Sequence, residues 1–190
     1  MTKVRPIGST YTRGGAYARA SQFGGAQDLL RIESGSGAES STPFLRFVLT
    51  VPEGKMIDSF VVSLKLRDAS APNVTISARR VNRPGMAYKS ITRNNEPAVY
   101  AGSTAVTVTA DGKGTHRFDL TADAIACMDD GGYLDLTFTT TSTTPRGIKG
   151  VKATTGYPVA ELTLVDAAYP PHDVRPDGVV SVGNPTPTWP

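Results

Sequence analysis

The sequence is poor in the side chains that do chemistry. Its single cysteine, Cys127, excludes an intrachain disulfide, and its only histidines are His116 and His172. A catalytic thiol needs an imidazole near it in space, so Cys127 reads as a small buried apolar residue after a short helical turn. No apolar run is long enough to span a bilayer. The opening "MTKVRPIGS" lacks one too, which gives the expectation of no secretory signal and of synthesis in a host cytoplasm. Charge of one sign is also scarce. The formal net charge is +3, and the basic residues concentrate only loosely, at Arg79, Arg80, Arg83, Lys89 and Arg93. A dedicated nucleic-acid binder clusters them far more densely, so neither nucleic acid nor membrane insertion is expected.

What is present is turn and strand chemistry. The 190 residues carry 19 glycines and 14 prolines among many Thr and Val, and long helical periods are absent. "PFLRFVLTV" alternates, with Leu45, Phe47, Leu49 and Val51 on one face and Phe44, Arg46, Val48 and Thr50 on the other. "SFVVSLKLRD" repeats the pattern, placing Phe60, Val62, Leu64 and Leu66 inward and Ser63, Lys65 and Arg67 outward. In "YLDLTFTTT" the inward residues are Leu134, Leu136 and Phe138. "AVTVTA" and "THRFDL" flank "DGKG", a hairpin signal. Thr121 reads as the N-cap of the one helical piece, "ADAIACM", which stops at "DDGG". Eight or nine strands and one helical turn predict an all-β, antiparallel, jelly-roll-like sandwich over residues 9–166. Residues 1–8 read as a polar N-terminal arm, and residues 167–190 as an extended Pro-rich C-terminal arm.

The stretch "TYTRGGAYARASQFGGAQDLLRIES" holds two Gly-Gly pairs, which raises the question of a phosphate loop. GxxxxGK[ST] is absent, no helix follows the glycines, and no βαβ unit is present, so nucleotide cradles are excluded. A strand, a Gly-rich crossover and a second strand account for it.

The same residues carry a resemblance. Tyr11, Arg13-Gly14-Gly15, Tyr17, Phe23-Gly24, Leu30-Arg31-Ile32 and Leu45-Arg46-Phe47 are similar in order and spacing to the opening of the DNRLRE-type domain. "YKSITRNNEPAV", "FDLTADAIACM" and "GVKATTGYPVAELTLV" resemble its later segments, so the likeness spans roughly Ser9 to Asp166. It implies a carbohydrate-binding-module-like β-sandwich of the kind found in bacterial and phage surface proteins. In that pattern Arg93 stands where a Trp is usual.

No catalytic set emerges. His116 sits in an expected strand, His172 in the Pro-rich arm, and Asp129-Asp130 in what reads as a solvated turn, so no enzyme activity is expected. No cofactor is expected, and no His/Cys spacing or Asp-rich loop argues for zinc or a structural calcium ion. If their strands are neighbours, the outward residues Arg46, Lys65, Arg67 and Arg79 make a basic stripe suited to uronic acids or an acidic protein face. Arg13, Tyr17 and Arg19 are expected to line one end of the sandwich with Tyr88 and Arg93. In the C-terminal arm, Tyr169, Val179, Val180, Val182 and Trp189 suit strand addition and aromatic anchoring on a neighbouring subunit. Two functions follow as expectations. One is a phage virion component, a minor tail or capsid-decoration protein assembled with other virion proteins and with copies of itself, as a trimer or other homo-oligomer. The alternative is an adhesion module that binds a bacterial cell-surface glycan.

Overall fold

The computed structural model describes residues 1–21, 29–35, 40–67, 74–82, 90–110 and 114–167. Period-two patterning gives eleven strands there: β1 (Thr2–Val4), β2 (Gly8–Arg13), β3 (Leu29–Ile32), β4 (Ser41–Val48), β5 (Lys55–Leu66), β6 (Val74–Arg80), β7 (Val106–Ala110), β8 (Gly114–Asp119), β9 (Tyr133–Thr140), β10 (Arg146–Lys149) and β11 (Val159–Asp166). One short helix, α1 (Thr121–Ala126), sits between β8 and β9.

The strands form two antiparallel sheets. The first runs β1-β11-β5-β10-β3, with β8 also paired to β5; the second runs β2-β4-β9-β6-β7. The expected all-β sandwich is what forms. The alternating residues meet between the layers as patterned: Leu45, Phe47 and Leu49, then Phe60, Val62, Leu64 and Leu66, then Leu134, Leu136 and Phe138 are all buried in one core. Two edge-to-face ring pairs join the layers, Phe47 with Phe60 and Phe118 with Phe138, each with centroids 5.6 Å apart. Such contacts add about 0.5–1.5 kcal/mol to the area each ring buries.

Three local expectations change. Residues 1–8 hold a strand: Thr2 pairs with Leu162 and Val4 with Ala160, so this segment is an edge of the first sheet. β7 and β8 do not pair as a hairpin. β7 joins β6 in the second sheet and β8 joins β5 in the first, so the two strands lie in different layers. Thr121 is the first helical residue and not the N-cap, which is Leu120. The Asp119 carboxylate accepts hydrogen bonds from both the amide and the hydroxyl of Thr121, at 3.1 and 2.6 Å, which satisfies an amide the helix leaves open.

Candidate functional site

The outer face of the second sheet carries a row of hydroxyls. Thr12 pairs with Thr42, Ser77 pairs with both Thr139 and Thr107, and Thr42 and Thr139 line one hollow, so the row crosses all five strands. Threonine suits a pleated surface for its β-branch and also presents an outward donor and acceptor.

A turn folds back over part of this face. Ile91 packs on Phe44 and Val81 in a small buried cluster outside the main core. A capping box between Thr92 and Asn95 shapes the 3-10 turn Arg93–Asn95. Arg93 Nη1 donates to Thr42 Oγ1 at 2.9 Å and to the Glu96 carboxylate at 3.0 and 3.2 Å. The Thr12 hydroxyl donates to the same carboxylate. Beyond it, Val99 bridges to Val81.

Two hollows stay open between this cover and the strands. One, of about 170 Å³, is lined by Ser40, Thr42, Arg93 and Thr139; the other, of about 180 Å³, by Ser77, Arg79, Val99, Ala105, Thr137 and Thr139. They share Thr139 as a wall and lie side by side as a groove that carries both hydroxyls and apolar surface. Arg79 is exposed, and its side chain makes no hydrogen bond or ion pair among the described residues. Its planar fork is therefore available to a ligand. The nearby rings are occupied: Phe44 is buried, and Tyr100 lies against the Arg80 guanidinium at 4.2 Å. Among the described residues no aromatic side chain lines either hollow.

The basic stripe expected from the sequence does not form. Arg46 and Arg79 belong to the second sheet, whereas Lys65 and Arg67 face outward from the first, on the opposite side of the molecule. Arg46 is not a ligand-binding candidate, because its Nε and Nη2 hold both oxygens of the buried Asp135 at 2.6 and 2.8 Å. Arg13 lies over the Tyr17 ring at 4.3 Å at the end of β2, and Arg19 is exposed just after it. Arg93 is instead on the second sheet's face, so these residues do not line one end together. Tyr88, Tyr169, Val179, Val180, Val182 and Trp189 lie outside the described residues.

One charged cluster went unread in the sequence. Arg80 shares the inward face of β6 with Val74, Ile76 and Ala78 and is buried, paired to Asp130. Asp130, read as solvated, is thus an ion-pair partner. Beside it, burial raises the Asp123 carboxyl above its ordinary range, opposed by the hydrogen bond from Ser103 and the charge of Arg80. Burial pushes the Cys127 thiol from 9.0 up to about 11. The folded protein is therefore expected to react with a thiol reagent at pH 8 only as fast as it unfolds, which a labelling time course with and without denaturant checks. The sign for stability follows. The contribution of this thiol is complete below pH 9.0 and is lost as pH rises through about 11.

No group of three or more His, Cys, Asp or Glu among the described residues is placed to hold a metal ion. The chain belongs to carbohydrate-binding module family 96, whose profile matches residues 1–148. That is a family of binding modules, not of catalysts. The sandwich runs past the matched span, since β11 pairs with both β1 and β5. No curated protein matches the sequence. Among solved structures, Arthrobacter globiformis T6 isomalto-dextranase complexed with panose is similar at 13% identity and a TM-score of 0.31, over 68% of this chain and 17% of that one. A likeness at that level carries no inference about ligand. The family supports the carbohydrate-module-like domain expected from the sequence, and nothing in these comparisons supports a virion setting.

Proposed function

We propose that this chain is a non-catalytic module that holds a polysaccharide along the groove of the second sheet. Family membership supports the ligand class, and the observation that selects this face is the hydroxyl row between Arg93 and the unpaired Arg79. Thr42, Ser77, Thr107 and Thr139 meet sugar hydroxyls, and Arg79 supplies a two-pronged donor at the rim. Arg93, which stands where the DNRLRE-type pattern has Trp, lines the groove and contributes hydrogen bonds in place of a stacking ring. Of the two functions expected from the sequence, glycan binding is the one these observations favour.

A glycan array probed with the whole chain identifies the ligand, and isothermal titration then measures its affinity. Arg79→Ala is expected to weaken binding by about 10- to 100-fold, as for a lost charge-assisted hydrogen bond. The melting temperature should not move, because Arg79 supports nothing else among the described residues. Equal affinity in the variant, or an array with no bound glycan, would refute the assignment.

A further inference from the structure

Away from the groove, a cavity of about 290 Å³ opens at the edge where β2 of one sheet meets β3 and β10 of the other. Arg146 lines it. This residue pairs with Ile32 and shares its face of β10 with the core residue Ile148, so its guanidinium occupies a position facing the sandwich interior. It is 5% exposed, its Nε is buried without a hydrogen-bond partner, and it forms no ion pair with any described residue.

An arginine side chain stays charged in a protein, and an uncompensated buried charge is strongly unfavourable. Such a cation persists where a counter-charge arrives. None is supplied by the described residues of the walls, which besides Arg146 are Tyr11, Leu29, Leu30, Pro145, Gly147 and Arg31. Arg31 is itself matched by Glu33 at 2.6 Å, a carboxylate that does not line the cavity. The Tyr11 hydroxyl makes no hydrogen bond among the described residues and adds a second donor. Apolar walls around these donors strengthen any charge-assisted hydrogen bond formed there.

We infer that this cavity is a second binding site, which takes one oxyanion group, a carboxylate or a sulfate, on Arg146 and the Tyr11 hydroxyl. The group arrives either as a free anion or as a substituent on a sugar. The inference does not rest on the groove.

Isothermal titration of the whole chain with sodium sulfate, sodium acetate, glucose 6-sulfate and sodium glucuronate tests it, with glucose and ionic-strength-matched sodium chloride as controls. Saturable binding of at least one oxyanion ligand is expected, weakened about 10-fold or more in Arg146→Met, which keeps the side-chain length without the charge. Tyr11→Phe should weaken it by about two- to fivefold, and it keeps the test valid if the first variant does not fold. Arg79→Ala should leave it unchanged. Sugar acids binding more tightly than sulfate and acetate identify the sugar-borne source, and the reverse order identifies a free anion; both support the site. No saturable binding by any oxyanion, or the same binding in Arg146→Met and Tyr11→Phe as in the parent chain, overturns it. Because Arg79 reports on the groove and Arg146 on the cavity, failure of either reading leaves the other standing.

Discussion

Asp135→Ala should destabilise the fold by about 3 kcal/mol, as for a buried ion pair that loses one partner. Asp135 is 1% exposed and lies directly across from Arg46 on neighbouring strands. Two short, parallel hydrogen bonds join the groups, and the guanidinium also sits 5.7 Å from the Tyr133 ring centre. Truncating the acid removes the carboxylate that both Nε and Nη2 of this largely buried cation hold. The cost comes from burying the charge without that carboxylate, so removing both charges should be much cheaper. Arg46→Met combined with Asp135→Leu is expected to fall within about 1 kcal/mol of the parent chain. Urea midpoints for the single and double variants check both values. A single variant that loses less than about 1 kcal/mol would show that the pair is wet and marginal.

Gly132→Ala should cost about 2–5 kcal/mol, the sum of backbone strain and overpacking. Gly132 has a φ of +75°, which a side chain disfavours, and a Cβ built there would lie 2.4 Å from the Leu49 carbonyl oxygen. That oxygen belongs to backbone held in place, since the Leu49 amide donates to the Gly132 carbonyl at 2.7 Å and the Gly132 amide to Cys127 at 3.0 Å. No flexible side chain can move aside, so the buried Leu49 or the turn after α1 must shift. Thermal unfolding measures the loss. A variant with the parent's melting temperature would mean that the turn relaxes freely.

Much of the sandwich is legible in the sequence, because apolar alternation reports directly on which residues face inward. Leu45, Phe60 and Leu134 all sit where the period places them. Pairing between strands is not legible in this way. "DGKG" has hairpin chemistry, yet its flanking strands join different sheets. β10 leaves little trace in the sequence because it is four residues long, follows Pro145 and contains Gly147, so the buried Arg146 is not legible either. The basic stripe failed for a related reason: a sandwich has two outer faces, and alternation cannot say which one an outward Arg46 or Lys65 occupies. Arg80 was readable, since it continues the inward parity of Val74, Ile76 and Ala78, but its charge argued for solvent. Arg93 and Arg79 were both nominated, and only the fold-back of the turn after Ser90 puts them on one groove.

The ligand-bearing face can be located by two-dimensional amide NMR of the whole chain, titrated with the tightest glycan from the array. Shifts concentrated at Ser77, Arg79, Thr107, Thr137 and Thr139 are the expected result. Shifts confined to Ser63, Lys65, Arg67 and Arg117, on the first sheet, would contradict it.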